Sequence, residues 1–221
     1  MPSLAYGDYV IRLQEARWLL DQALAATDPT RVAALCKGGV VLTAAALERY
    51  INDVVSEACR QIKITRWDDL SEGQQRYMAR QIAKQLHTAS ERVHVRGELT
   101  QATRNKLHKA VVEAMSALIS PATWSHDEDY GPLMQGAAEP ARIDATLKMF
   151  SSRGQGVMDF IDSRGADRGA TGRALQSLVE ARHNVAHALS AVFPSPVDVR
   201  NWVTYSILLT RSIEAFLGFR T

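Results

Sequence analysis

A chain of 221 residues with 46% hydrophobic and 23% charged side chains can bury a sizeable core without disulfides or a structural metal. That composition excludes general disorder. A formal net charge of +2 creates no global field that demands an acidic partner, so any binding of nucleic acid must come from local clusters of cations.

The first eight residues, Met1 to Asp8, lack the basic start and apolar run of a signal peptide. From Tyr9 to about Ala26, Val10, Leu13, Trp18, Leu20 and Leu24 recur at helical intervals. Thr27-Asp28-Pro29 predicts a break and a restart, with Asp28 as N-cap and Pro29 in the first turn. The longest predicted helix follows, with Val32, Leu35, Cys36, Val40, Thr43, Leu47, Tyr50, Ile51, Val54, Ala58 and Ile62 on one face. Gly38-Gly39 inside it lowers helix propensity, which points to a close backbone approach at that level. Cys36 and Cys59 share this helix, and at ~1.5 Å per residue they stand roughly 35 Å apart, too far to bridge. They read as packing residues of a reducing compartment.

Further helices are expected over Glu72 to Leu86 and Thr100 to Ile119, joined by a hairpin or irregular connection at Arg92 to Gly97. Residues 120–140 read as an irregular loop insertion, rich in proline and glycine and carrying Asp127-Glu128-Asp129. Helices resume at Arg142 to Phe150 and Gly156 to Ser163. A glycine-rich connection then leads to a helix from about Arg173 to Val192. Pro194-Ser195-Pro196 ends that helix, and Val197 to Leu217 forms the last one, with Trp202, Tyr205, Leu209, Ile213 and Phe216 on one face. No stretch reads as long and apolar enough to span a bilayer, so the expectation is an all-α bundle in a single domain, cytoplasmic and without a membrane partner.

Chemistry concentrates in Leu175 to His187. Leu175, Leu178, Val179, Val185, Ala186 and Leu189 supply a core face, interrupted by Arg182, His183 and Asn184, with His187 one turn later. Cleaving RNA without a metal requires taking a proton from a 2′-hydroxyl, protonating the departing 5′-oxygen and stabilising negative charge on the phosphoryl oxygens. Imidazole titrates in the range suited to proton transfer, and a guanidinium offers a permanent planar fork to those oxygens. The bland alternative is a pair of ordinary surface groups. His183 and His187 also stand at the i, i+4 spacing used for zinc, but no His-Glu-x-x-His or cysteine pair supplies further ligands.

The stretch Arg182-His183-Asn184-Val185-Ala186-His187, with its apolar flanks, resembles the Arg-x4-His signature of the HEPN superfamily. The segment Val41-Leu42-Thr43-Ala44-Ala45-Ala46-Leu47-Glu48-Arg49-Tyr50-Ile51 is similar to the second helix of its RiboL-PSP type. The resemblance implies a HEPN-like helical bundle with additional peripheral helices. It also implies a metal-independent RNA endonuclease that leaves a 2′,3′-cyclic phosphate and a 5′-hydroxyl. The setting would be a toxin or phage-defence effector with an antitoxin or defence-system partner, and no cofactor. Arg182 and His187 would be catalytic, supported by His183, Asn184 and Glu48. Positions 182 and 187 point about 140° apart on a straight helix, and members of the family bring such groups together by forming homodimers. In the toxin subgroup silenced by nucleotidyl modification a tyrosine stands two residues after the histidine. Leu189 occupies that position here, and Ala188 replaces the glycine often found just after the histidine.

Glu48 sits among Val41, Ala44, Ile51 and Val55 on its helix, so its carboxylate needs a partner. Arg182 or His183 would serve, and so would a local arginine such as Arg49 or Arg60. Between Arg76 and Lys109 stand eight cations, of which Arg76, Arg80, Lys84, Arg104, Lys106 and Lys109 are candidates for holding an RNA backbone if they share a face. A solvated helical surface is the competing reading. His126-Asp127-Glu128-Asp129 reads as a loop tip rather than a cation site. A non-catalytic HEPN module that binds nucleotide, RNA or a partner protein is the alternative for the whole chain.

Overall fold

A computed structural model describes residues 2–61, 65–66, 75, 79, 83, 87, 101–102, 104–105, 108–109, 111–112, 123–124, 139–148, 155–164, 169–187 and 193–219. Contacts divide the chain into two compact units, Met1–Ala58 with Pro132–Thr221, and Cys59–Gly131.

In the first unit the described residues form α1 (Leu4–Ala25), α2 (Pro29–Gln61, its last residues belonging to the second unit), α3 (Pro140–Lys148), α4 (Val157–Asp162), α5 (Ala170–His187) and α6 (Pro196–Leu217). The second unit contains β1 (Thr65–Arg66) and β2 (Thr123–Trp124), a two-residue antiparallel ladder with Thr65 opposite Trp124. Among the described residues the protein is therefore all-α apart from that ladder, and the expected 120–140 loop contributes one of its strands. Gln75, Ala79 and Ala83 lie on helical backbone, as do the described residues between 101 and 112, inside the two helices expected there, and His87 is helical one residue past the expected end at Leu86. Residues 92–97 and 126–129 lie outside the described residues.

Helix α1 begins at Leu4, well before the expected Tyr9, because its first turn has acceptors. The Ser3 hydroxyl accepts from the Tyr6 N–H at 3.0 Å, and the Glu57 carboxylate accepts from the Leu4 and Ala5 N–H groups at 3.2 Å each. Its buried face is Ala5, Tyr9, Leu13, Ala16, Leu20 and Ala23. Val10, Trp18 and Leu24, which recur at helical intervals with Leu13 and Leu20, are exposed. Apolar residues stand on both sides of this helix, so periodicity alone could not pick the buried one.

The restart at Asp28 holds: its side chain accepts from the Thr30 N–H at 3.0 Å, and Pro29 opens α2. On α2, Cys36, Val40, Ala44, Leu47, Tyr50, Ile51, Val54 and Val55 are buried. Cys36 is a free, buried thiol, and the Cys59 side chain lies outside the described residues. The two glycines mark close approaches. A Cβ on Gly38 would stand 2.9 Å from Leu19 Cδ1, and one on Gly39 would stand 3.0 Å from Val199 Cγ1. The expectation that no stretch could span a bilayer is corrected here. Residues Pro29–Ala58 are long and apolar enough to do so by length and composition, because alanine, valine and glycine outweigh scattered charges. In the structure those apolar residues supply the bundle core.

Helix α6 packs against α1, α4 and α5. Ser195 and Asp198 form a reciprocal capping box at its start, and Gly218 ends it at φ 86°, in the left-handed region. At its inner face Glu214 is fully buried. Its carboxylate accepts from the Ser3 N–H at 2.7 Å, from the Ser3 hydroxyl at 2.5 Å and from the Tyr50 hydroxyl at 2.9 Å. Beside it the Tyr9 hydroxyl donates to Ser206 Oγ at 2.7 Å, and the Tyr9 and Tyr50 rings stand 5.4 Å apart. Burial pushes both phenols up, and the Glu214 charge adds to the effect at Tyr50. This polar knot joins the start of α1 to α2 and α6.

Between α3 and α4 the Asp144 carboxylate accepts from the Met158 N–H at 2.9 Å, capping the first turn of α4. A Cβ on Gly156 would fall 2.0 Å from that carboxylate. Gly156→Ala therefore makes Asp144 swing away and removes the cap, a loss of about 1–2 kcal/mol expected in urea unfolding. A variant as stable as the unsubstituted protein would contradict this account.

Candidate active site

Helix α5 places the motif. Thr171, Leu175 and Leu178 are its buried residues, and Arg182 follows them in the same three- and four-residue steps. The guanidinium thus leaves the helix on the side that faces the bundle, where a positive charge must be compensated. Glu48 of α2 does so. Arg182 Nη1 stands 3.2 Å from Glu48 Oε1, with side-chain exposures of 37% and 20%. Oε1 is shielded from solvent and the N–H is not aligned along it, so the contact is an ion pair rather than a directed hydrogen bond. Of the local alternatives for Glu48, Arg49 is engaged with Asp53 at 2.8 Å, and the Arg60 side chain lies outside the described residues.

His183 and His187 stand further round the helix, and both are exposed, as is Asn184. The two imidazoles are neighbours one turn apart, their centroids 4.5 Å from each other and their planes tilted by 51°. Arg182, His183, Asn184 and His187 line one open groove of about 630 Å³, together with Val179, Glu180, Ala186 and Glu139. That volume is in the range that holds a nucleotide-sized ligand. The 140° between positions 182 and 187 is spanned by the groove itself, since both residues belong to its wall within one chain.

Two readings of the helix are corrected. Ala186, expected on the core face, is exposed and lines the groove, because it falls between Arg182 and His187 on the helix circumference. Helix α5 is described from Ala170, before the expected Arg173, to His187; Ala188, Leu189 and the rest of the expected helix lie outside the described residues. Sequence reasoning missed Glu139, which stands in the groove immediately before α3. Its one signal, an acidic residue preceding Pro140 at a helix start, suggests a cap rather than a site.

The guanidinium can present those of its five donors not turned to Glu48 to an anionic oxygen in the groove. The imidazoles can exchange protons there, and the Glu180 carboxylate of the same groove accepts from the Gln176 amide at 2.9 Å. Among the described residues no three His, Cys, Asp or Glu side chains gather as a metal site. Of the cations considered for RNA binding, Arg104 and Lys109 are exposed on helical backbone of the second unit, and Arg76, Arg80, Lys84 and Lys106 lie outside the described residues. Comparison of the chain with protein families, characterised proteins and solved structures produced no significant match.

Proposed function

We propose that this protein is a metal-independent RNA endonuclease of the HEPN type, with Arg182 and His187 as its catalytic residues. One observation carries the reading. A guanidinium and an imidazole five positions apart open onto a single groove, and a carboxylate from the long second helix holds the guanidinium in place. In the reaction the 2′-hydroxyl attacks the adjacent phosphorus, Arg182 neutralises charge gathering on the non-bridging oxygens, and His187 moves a proton. The 5′-oxygen departs, leaving a 2′,3′-cyclic phosphate. RNA is the substrate, no cofactor takes part, and a toxin or phage-defence effector is the setting that such chemistry suits. A homodimer, implied by the resemblance, would set two such grooves side by side.

The purified chain should cleave RNA in excess EDTA and leave cyclic phosphate ends that phosphatase removes only after acid has opened them. Failure to cut any member of a broad RNA panel, or a strict need for a divalent cation, would overturn the proposal. Glu48 is a positioning residue in this scheme. Glu48→Gln keeps shape but loses charge, and should lower kcat by about tenfold, ~1.4 kcal/mol in the barrier, with KM little changed. A rise in KM at constant kcat would mean that Glu48 shapes binding instead.

A further inference from the structure

Transesterification of RNA needs two proton transfers, one from the 2′-hydroxyl and one to the 5′-oxygen, and a single histidine accounts for one of them at a time. The groove holds a second imidazole. His183 is exposed, lines the same wall as His187 and stands 4.5 Å from it, ring centre to ring centre. The entering and leaving oxygens belong to one phosphodiester, so the groups that serve them must reach the same phosphate, and two imidazoles one turn apart on one groove wall are placed to do so. Arg182 lines the same groove beside them and pairs with Glu48 on its inner side, so it can meet the non-bridging oxygens of a phosphate bound there. Among the described residues the other charged groups lining the groove are Glu180 on the same helix and Glu139 ahead of α3, with Glu48 of α2 behind Arg182.

We infer that His183 and His187 form the acid–base pair of the reaction, supplied by one chain to one groove; this rests on the ribonuclease reading above. The neutral imidazole takes the 2′-hydroxyl proton as the oxygen bonds to phosphorus. The protonated imidazole gives its proton to the 5′-oxygen as the P–O5′ bond breaks and its electron pair leaves with that oxygen. The products are a 2′,3′-cyclic phosphate and a 5′-hydroxyl. The two rings end with their protonation states exchanged, and solvent resets them.

A mixed-sequence RNA oligonucleotide carrying a fluorophore and a quencher is the probe. Initial rates are measured in EDTA from about pH 5 to about pH 9 for the unsubstituted chain, His183→Asn and His187→Asn, each checked for folding by circular dichroism. The unsubstituted rate should rise and then fall with pH, since the base must be neutral and the acid protonated. Each variant should lose on the order of 10²-fold or more at the optimum. Each should also lose one limb of the profile, a different one in each, which a merely structural side chain would leave in place. An equal mixture of the two variants should stay as slow as either alone. His183→Asn within about threefold of the unsubstituted rate and with both limbs intact, beside an inactive His187→Asn, would overturn the pair and leave the ribonuclease standing. Recovery in the mixture would show that two copies complete one another and would also overturn it. If the unsubstituted chain cuts nothing, the ribonuclease reading falls and the pair falls with it.

Discussion

His187→Ala is expected to leave a folded protein that no longer cleaves RNA. The side chain is exposed at the end of the described part of α5, and among the described residues it stands beside the His183 ring and forms no hydrogen bond to the bundle. Truncation there should move the urea midpoint by no more than about 0.5 kcal/mol in stability. Loss of a proton-transfer group typically costs 10²–10⁴-fold in rate, so the separation between activity and stability should be wide. Arg182→Ala should behave differently. It removes both the phosphate clamp and the guanidinium that faces Glu48, and should lose roughly 10²–10³-fold in rate together with about 1–2 kcal/mol of stability. Rate and unfolding measured side by side distinguish the two variants. A well-folded His187→Ala protein that still cuts near the unsubstituted rate would remove the basis of the assignment.

Glu214→Ala should be the most damaging substitution for the fold, at about 3–5 kcal/mol. The carboxylate is wholly inside the bundle and accepts three hydrogen bonds, two of them from Ser3 and one from Tyr50. Without it the Ser3 N–H and hydroxyl lose their acceptor in a place water does not reach, and a cavity opens between Ser3 and Tyr50. Tyr50 keeps an acceptor in the Thr210 carbonyl at 3.0 Å when Glu214 is removed; Tyr50→Phe instead takes one donor from a carboxylate that still accepts twice from Ser3, and should cost only about 1–2 kcal/mol. Urea unfolding with unchanged slope gives both values. A Glu214→Ala protein that lost less than about 1 kcal/mol would mean that the start of α1 is held by Glu57 and the Ser3 cap alone.

Local chemistry was legible before any coordinates. Asp28-Pro29 announces the start of α2, and Gly38-Gly39 announces the approach of α1 and α6. Ser195 and Asp198 state where α6 begins, since a cap is made by residues three apart. The candidate site was legible to the same depth: its residues share one short helical stretch, so their spacing is also their geometry. Glu48 was recognisable as a carboxylate in need of a partner, but Arg182 and Arg49 were equally available in sequence.

Long-range choices were decided otherwise. The side of α1 that is buried, the selection of Arg182 by Glu48, the placing of Glu139 in the groove and the burial of Glu214 against Ser3 all join residues far apart along the chain. By itself the amino-acid order determined which segments coil, where most of them start and stop, and which helix carries the arginine and the histidines, because hydrogen bonds and side-chain spacing within a few residues settle those matters. Only tertiary packing decided which faces turn inward and which charges meet, because a helix with apolar groups on two sides, or a carboxylate with two possible cations, has no local preference and takes the partner that the assembled bundle brings within reach.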